Sequence, residues 1–518
     1  MRLPGWVDRF LGGRTGETPA RGTPRARASL HDAAAGSRRL KDWHPTDADI
    51  SSIATASGDT LVRRARDLVL GNPYAANAKE EFAAALVGTG IRPASTIEDE
   101  GLQTRVMQLW SAWCEVAEEQ GSLSLYGVMD LVAGALFEAG EVFVRVRPRR
   151  LSDGLPVPLQ LQVLESEYLD RSYSAPVDAV RKIRAGIEFG ALSERLAYHF
   201  WRNHPGDRIG WQGPQERVRV PAEAVLHVFD VRRPSQLRGL PMLTPGMVRM
   251  RILDSYDDAE LERKRTAALV AGFVTKSTEG GYWTNETEGT DDEGMPEATA
   301  RWSPGTIVEL LPDENIEFSA PTDVGATYET FQYRNLLAIA AAIGVPYANL
   351  TGDVRQANYS SLRAALVQFR RRVDRLQAKV MVHQFCRPVW ARFIDAAVLS
   401  GALPVSPEQA AQLKAKVLWI PPKWEWVDPL KDRQAEQLAV DMRVKARSQV
   451  IIQEGGDPEQ VDQQIAADQA RAERLGIAAQ DQSRRPPAAD EDDASPDAPG
   501  NPQDQAAALP KARPAWLS

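Results

Sequence analysis

The stretch that decides the fold runs from Val225 to Thr275 and opens with VLHVFDVRRPSQLRGLP, residues 225–241. Its first residues, Leu226 to Phe229, are apolar and favour a β conformation, which predicts a short strand. From Thr244 the period becomes helical, and the pattern ends near Phe273. The apolar positions at helical spacing, with charges on the other faces, are Val248, Ile252, Tyr256 and Ala259. The stretch therefore joins a strand-rich part of the chain to a helical part.

The chain before this stretch changes its pattern once. Residues 59–113 are dominated by helical periods, whereas residues 141–229 read mostly as strands. Val142, Val144 and Val146 alternate with larger or charged residues, and Leu159, Leu161 and Val163 alternate with glutamines. Alternation with a period of two predicts strands whose two faces meet different surroundings.

The chain after this stretch is again mainly helical. Residues 277–300 contain seven acidic residues, no basic residue and four glycines, which is typical of a solvated loop or a small exposed module. A short strand is predicted at Ile307–Leu311, and a helix at Tyr328–Ile343 that Gly344 and Pro346 stop. Gly344–Tyr359 reads as a loop, and Ser360 or Ser361 can cap the helix that follows it.

That last helix carries the clearest amphipathic pattern in the sequence. Its apolar positions alternate in steps of four and three, and they are Leu362, Leu366, Phe369, Val373, Leu376 and Val380. Arg371, Arg375 and Lys379 follow another face at four-residue spacing. The helix is therefore predicted to pack one side on a core.

Composition excludes several classes of protein. The 518 residues are 43% hydrophobic and 25% charged, with a net charge of −8, so a basic nucleic-acid coat is not indicated. Cys114 and Cys386 stand far apart, which argues against a disulfide framework. The sequence has no phosphate-binding loop of the Walker type, no HExxH motif and no cysteine–histidine cluster. No catalytic residue, metal site or cofactor is predicted.

Two groups of residues permit a second interpretation. Asp254, Asp257, Asp258 and Glu260 share one predicted helix, and such carboxylates can hold Mg²⁺ in a nuclease. Flanking arginines and lysines make a helix face with internal ion pairs the more typical interpretation. Trp419, Trp424 and Trp426 could stack on bases, but tryptophans beside Pro421-Pro422 are more typical of a packed corner.

The sequence resembles the lambda-type portal proteins of tailed bacteriophages. The blocks that carry the resemblance stand in the family's order over about residues 60–475. They are Asn72–Ala75, Val87–Pro93, Gly140–Arg145, His227–Pro241, Asp257–Leu261, Ala267–Thr275, Ile343–Tyr347, Asn358–Arg363 and Trp424–Lys431. Each block is weak alone, and their order makes the match specific.

The resemblance implies a mainly helical α+β fold, the portal fold, divided into named parts. These would be a mobile basic arm (1–45), a wing (46–240), a stem helix (241–273), a clip (274–325), a second stem helix (326–343), a tunnel loop (344–360), a long wing helix with further wing (361–428), crown helices (429–476) and a disordered acidic tail (477–518).

The resemblance also implies a function without bond chemistry. The subunits would form a ring, usually of twelve copies, at one capsid vertex, and double-stranded DNA would pass through it without sequence-specific binding. Implied partners are the terminase large subunit, the major capsid and scaffold proteins, and head-completion or tail proteins. No membrane is expected; the ring would act in the virion after assembly in the host cytoplasm. The alternatives are a DNA-packaging enzyme and another virion protein such as a head–tail adaptor.

Two sets of residues are candidates for these tasks. Carboxylates that repel phosphate would keep friction low in a channel, and a few polar loop residues could touch DNA weakly. The channel candidates are Asp254, Asp257, Asp258, Arg355, Gln356 and Asn358. An acidic clip would attract a basic partner at low salt. The terminase-docking candidates are Glu286, Glu288, Asp291, Asp292 and Glu293.

Overall fold

The structure is a computed structural model that describes residues 42, 44–210, 213–268, 272–276, 314–318, 327–355, 358–424 and 429–477. The chain divides into two compact units, Met1–Arg433 and Gln434–Ser518. None of the helices within the described ranges combines the length and the hydropathy that a bilayer span requires.

The helices account for most of the described chain. In order they are α1 Ile50–Gly71, α2 Pro73–Leu86, α3 Glu100–Cys114, α4 Leu125–Glu138, α5 Met247–Ala268, α6 Thr327–Ile343, α7 Tyr347–Thr351, α8 Tyr359–Leu376, a π-helix at Gln377–Cys386, α9 Arg387–Leu399, α10 Pro407–Ala415, α11 Pro429–Asp441, α12 Arg447–Gln453 and α13 Pro458–Leu475. Short 3₁₀ turns occupy Leu151–Asp153, Ser166–Tyr168 and Ala222–Ala224.

The strands form small antiparallel sheets. They are β1 Arg92–Ser95, β2 Glu141–Pro148, β3 Leu159–Leu164, β4 Ala175–Pro176, β5 Lys182–Arg184, β6 Ile187–Phe189, β7 Arg195–Trp201, β8 Arg217–Pro221, β9 Val225–Phe229, β10 Gly272–Lys276, β11 Glu314–Phe318 and β12 Val417–Ile420. The sheets have the strand orders β3-β2-β9, β4 to β8 in sequence, β1-β12 and β10-β11. The predicted mainly helical α+β class and the strand-rich segment 141–229 are confirmed.

The main core lies between helices that are far apart in sequence. At its centre Trp110 and Trp113 of α3 pack against Trp390 and Phe393 of α9, with ring centroids 5.0 Å apart for the Trp110–Trp390 and Trp110–Phe393 pairs. Aromatic side chains bury large areas, and tilted or edge-to-face contacts add to that gain. Residues separated by about 280 positions therefore hold α3 and α9 together.

A buried ion cluster joins the sheets to the helices. Glu141, at the start of β2, is fully buried. Its carboxylate accepts hydrogen bonds from Arg238 Nη2 at 2.5 Å, from Arg171 Nη2 at 2.8 Å and from the backbone N–H of Gly239 at 2.8 Å. The two arginines also donate to backbone carbonyls, Arg171 to Ala54 in α1 and Arg238 to residues 166 and 185. These guanidinium groups hold the pKa of Glu141 well below its usual range, against the opposing effect of its burial.

The chain approaches itself closely beside this cluster. Gly140 has a φ of +80°, and a Cβ atom there would lie 2.1 Å from the backbone carbon of Leu240. No side chain fits such a contact, and the left-handed backbone disfavours one as well. Gly140 therefore lets the start of β2 pack directly on the segment that leads to α5.

His227 completes the cluster from β9. Its Nε2 lies 3.0 Å from Glu141 and its Nδ1 lies 3.3 Å from Arg195. The neighbours define the tautomer, because a neutral ring can donate from Nε2 to the carboxylate and accept at Nδ1 from the guanidinium. Burial lowers the pKa of His227 to about 4, although Glu141 partly opposes that shift.

The long amphipathic helix is confirmed and is longer than its stripe indicated. Phe369, Val373, Leu376 and Val380 are buried, while Leu362 and Leu366 are half-buried. The helix passes without a break from α8 through the π-helix into α9. Its cap differs from the prediction: Asn358, and not Ser360 or Ser361, accepts the N–H of Ser361 at 2.8 Å.

Two predicted boundaries are wrong. The helix expected to end near Phe273 spans Met247–Ala268, and a strand follows at Gly272–Lys276. Glycine weakens a helix, and Phe273, Val274 and Thr275 favour strands, so the local preference changes before the apolar pattern ends. Gly344–Tyr359 is not entirely a loop, because α7 lies within it with Leu350 buried. Five residues are too few to show a helical period.

The second unit is described by its helices alone. α12 and α13 are linked by an ion pair between Arg447 and Asp462, and α13 buries none of its residues. Lys445 pairs with Glu436 of α11. Helices are present where crown helices were expected, and the part names remain a prediction.

The ion cluster predicts a large loss of stability on neutralisation. Glu141→Gln leaves the buried Arg238 without its counter-charge and leaves Arg171 paired only with Asp59, which should lower the free energy of unfolding by about 3–5 kcal/mol. Glu216→Gln, which removes a pair with Arg202 at the surface, is the matched control and should change stability little. Denaturant unfolding of both variants measures the difference; equal losses would contradict the role of the cluster.

The cluster also predicts the pH dependence of stability. The folded chain holds His227 neutral down to about pH 4, whereas the unfolded residue binds a proton near its ordinary pKa of 6.5. The unfolded state therefore binds more protons in that window, and stability should fall as the pH is lowered from 6.5 to 4. Glu141, with its lowered pKa, adds a further loss below about 4.5. In His227→Gln, the slope between pH 6.5 and 4.5 should flatten; an unchanged slope would contradict this assignment.

Candidate functional site

The site is built on the antiparallel pair α5 and α6. One face of α5 is buried through Met247, Met250 and Leu253, and it shares a core with residues of α6. Those residues are Leu336, Ile339, Ala340 and Ile343. Tyr256 of α5 stacks on Tyr328 of α6 with centroids 6.1 Å apart, so aromatic contacts extend the pair beyond the core.

Asp257 is held inside this pair. It accepts hydrogen bonds from Tyr328 Oη at 2.8 Å and from Gln332 Nε2 at 2.9 Å. Burial, and next to it the charge of Asp257, raise the pKa of Tyr328, which therefore stays a hydrogen-bond donor at neutral pH. Asp257 thus joins the two helices, and its charge is satisfied within the subunit.

The neighbouring carboxylates differ from one another. Asp254 accepts from Asn72 Nδ2 at 3.2 Å and from Arg251 at 3.3 Å. Glu260 is buried and pairs with Arg263 at 2.7 Å. Asp258 is exposed and accepts no hydrogen bond from any described residue. The interpretation as a helix face with internal ion pairs therefore fits two of the four carboxylates, Asp254 and Glu260.

The group within the described residues that could hold a metal lies elsewhere. It consists of Glu165, Glu167 and His204. Arg66 occupies this group, with nitrogen–oxygen distances of 3.3 Å to Glu165 and 2.7 Å to Glu167. A guanidinium already neutralises these carboxylates, so the residues present do not favour a divalent cation.

The structure describes two of the three candidate loop residues, Arg355 and Asn358. Arg355 is exposed and pairs with Asp353 at 3.0 Å and with Glu329 at 3.5 Å. The hydrogen bonds from Arg355 lower the pKa of Asp353 to about 2. Asn358 caps α8, and Gln356 lies outside the described residues.

Other predictions fall outside the described residues. These are the docking candidates Glu286, Glu288, Asp291, Asp292 and Glu293, the strand at Ile307–Leu311, and nearly all of the two terminal segments. Of the tryptophan cluster, Trp419 is buried and packs on Trp390, and Trp424 donates to Asp374 at 3.1 Å. Both fit the packed corner, whereas Trp426 is outside the described residues.

One surface was missed by the sequence argument. Val248 and Ile252 of α5 are 63% and 64% exposed, although their spacing placed them on the apolar stripe of the helix. They form a ridge between two grooves, one beside Arg64 and Leu68 of α1 and the other beside Phe331 of α6. The signal was present in the sequence, because α5 has two apolar faces and only one of them meets this subunit's core.

The chain is similar in sequence to portal proteins of phages. The chain matches the model of the family described as phage portal protein, lambda family, over residues 36–377. It is 27% identical over 453 residues to the "Probable portal protein" of Halomonas phage phiHAP-1, which covers 83% of each chain. It is 23% identical over 376 residues to "Portal protein B" of Escherichia phage lambda, covering 65% of this chain and 69% of the relative.

Solved structures show a distant likeness. A chain of the structure "Neck of native GTA particle computed with C12 symmetry" has a TM-score of 0.44 and 15% identity, and 79% of this chain matches 99% of that chain. A chain of "Neck of empty GTA particle computed with C6 symmetry" has a TM-score of 0.46 and 16% identity over the same shares.

These sequence matches define the class as phage portal proteins, and the mainly helical α+β fold fits that class. The chain belongs to the lambda family of phage portal proteins, since the family match covers more than half of it. The predicted resemblance is confirmed. Neither alternative, the DNA-packaging enzyme or the head–tail adaptor, is favoured by any of these observations.

Proposed function

We propose that this portal protein assembles into a ring of twelve copies at one vertex of the capsid, through which double-stranded DNA is packaged and ejected. Family membership supports the assignment, and the apolar ridge Val248–Ile252 is the observation on this chain that carries it. The ring itself performs no bond chemistry. It is assembled in the host cytoplasm and acts in the virion.

The ridge is the proposed surface between copies. Two large apolar side chains one turn apart stand on the outer side of a helix whose inner side is fully packed. Phe331 of α6, 49% exposed, extends the apolar surface, and Arg64, Asp67 and Arg249 provide a polar rim. Apolar centres with polar rims are typical of protein interfaces. In a ring every subunit presents the same two surfaces, one to each neighbour. The ridge of each copy would therefore contact a different surface of the next copy.

Imaging of the purified chain tests the proposal directly. Negative-stain micrographs should show rings with a central hole about as wide as a DNA duplex. Dispersed globules at concentrations where the chain is folded would contradict the ring.

The ridge yields a sharper prediction. Val248→Glu with Ile252→Glu should abolish rings, since each apolar side chain contributes about 1.5–3 kcal/mol when buried and a charge there would be desolvated. Because both side chains are largely exposed in the subunit, thermal unfolding of the dispersed chain should change little. Leu399→Glu, at a side chain that is 90% exposed at the end of α9, is the control and should keep its rings. Intact rings in the double variant would rule out this interface.

For the channel we propose a wall that does not hold DNA. Phosphates bind strongly to lysine and arginine, so a wall rich in free bases would stall a moving duplex. Of the candidates Asp254, Asp257, Asp258, Arg355, Gln356 and Asn358, Asp258 is the best placed to act by repulsion, because it is exposed and has no partner among the described residues. Asp254 and Asp257 act mainly as structural contacts within the subunit. Arg355 is paired with Asp353, which weakens its binding to phosphate.

This proposal predicts the effect of one charge. Asp258→Lys places a cation in every subunit of the ring and should leave rings intact while it slows packaging in vitro. Slower packaging should be relieved by added salt, because screening weakens phosphate binding. Glu408→Lys, an equal charge change at the start of α10, serves as the control. Packaging at the wild-type rate in Asp258→Lys would refute repulsion at this residue.

For docking we propose that the acidic segment with Glu286, Glu288, Asp291, Asp292 and Glu293 binds a basic surface of the terminase large subunit, and afterwards head-completion or tail proteins. The support is its charge, because opposite charges speed encounter at low salt. The major capsid protein and the scaffold are the further proposed partners of the ring.

A further inference from the structure

A row of basic side chains follows the long helix from α8 to α9. They stand at every fourth residue: Arg371, Arg375, Lys379, His383 and Arg387. Four residues make slightly more than one turn of an α-helix and less than one turn of the wider π-helix. Successive members of the row therefore rotate slightly around the helix axis in α8, and they rotate back in the π-helix at Gln377–Cys386. As a result, the row stays on one side of the helix over roughly 20 Å.

Most of this row is available to a partner. Lys379 donates to Asp230 at 2.7 Å, so its charge is satisfied within the subunit. The other four side chains are exposed and have no hydrogen-bond or ion-pair partner among the described residues. A helix that carries three unpaired arginines and a histidine on one side presents a positive field to its surroundings.

A groove lies beside the lower half of the row. One wall is formed by the π-helix and the start of α9, through Val382, His383 and Arg387, and the other by Val417, Leu418 and Trp419 of β12. Leu418 is 39% exposed, so the wall opposite the basic groups is apolar. Within the described residues β12 pairs only with β1, which leaves the hydrogen-bonding groups of its second edge unpaired by another strand.

The groove wall also contains an unsatisfied donor. Trp419 is only 8% exposed, and its indole nitrogen is buried without a hydrogen-bond partner in the described part of the chain. A buried N–H normally has an acceptor, and a missing one costs free energy. Because this nitrogen is itself buried, a ligand in the groove does not reach it, and Trp419 contributes only its apolar ring to the wall.

These features together select the kind of partner. A DNA backbone would need only the basic row and would gain nothing from an apolar wall. A peptide with carboxylates and an apolar side chain uses all of these features, because its carboxylates face His383 and Arg387, its apolar side chain contacts Leu418, and its backbone can hydrogen-bond with the free edge of β12. We propose that this groove docks an acidic, partly apolar segment of another protein of the particle. The proposal is independent of the ring and of the DNA channel.

Binding of defined probes tests the docking site. The probes are a fluorescent eight-residue peptide of alternating Glu and Leu, the same peptide with Lys in place of Glu, and a 20-base-pair DNA duplex. Fluorescence anisotropy with the full chain should show saturable binding of the acidic peptide and none of the basic one. No binding of the acidic peptide, or stronger binding of the basic one, would overturn the proposal.

Variants locate the binding and separate it from DNA. Arg387→Glu and Leu418→Asp should each weaken the acidic peptide by about tenfold or more, whereas Arg105→Glu, an exposed charge reversal on α3, should not. Circular dichroism and thermal unfolding verify that each variant is folded. If Leu418→Asp left peptide binding unchanged and Arg387→Glu abolished the binding of duplex DNA, the groove would be a phosphate-binding surface. That result would reject the peptide site.

Discussion

The buried carboxylate of Glu141 is the constraint on which the first unit depends. Two guanidinium groups, a backbone N–H and a neutral histidine surround it, and they come from three separate parts of the chain: Arg171, His227 and the segment Arg238–Gly239. A buried charge is tolerated only when every such partner is in place. The sheet β3-β2-β9, helix α1 and the segment leading to α5 are therefore joined at one point, and that junction sets where α5 leaves the strand-rich region.

The direction of α5 in turn decides which surfaces the subunit presents. The face of α5 that carries Met247 and Met250 is buried against α6. Asp257 holds the two helices together through Tyr328 and Gln332. What remains outside is the ridge of Val248 and Ile252 and the exposed Asp258. The surface proposed for a second copy and the charge proposed to face the passing DNA thus lie on one helix, while the basic groove belongs to another. Assembly, passage and docking can act on separate surfaces of the same subunit.

Several features of the fold and site were predictable because they depend on local order in the sequence. The blocks Gly140–Arg145 and His227–Pro241 supported the resemblance, and the structure shows why they belong together: they supply Glu141, Arg238 and the glycines that let them meet. The stripe of α8 and the alternation in β2 were visible as periods. The end of α5 at Ala268, helix α7 and the cap Asn358 were not, since short elements and boundaries depend on contacts beyond their own residues.

The sequence by itself determined the family, the class of fold and the positions of the long helices, because periodicity and block order survive without coordinates. Only the tertiary structure decided the use of each side chain. Asp254, Asp257 and Asp258 look equivalent in the sequence, yet two accept hydrogen bonds from other segments of the chain and one faces outward. Val248, Ile252 and Tyr256 likewise share one apolar stripe in the sequence, yet Tyr256 packs on α6 whereas Val248 and Ile252 are exposed. Helical spacing shows which residues share a face, but what that face meets depends on segments distant in the chain.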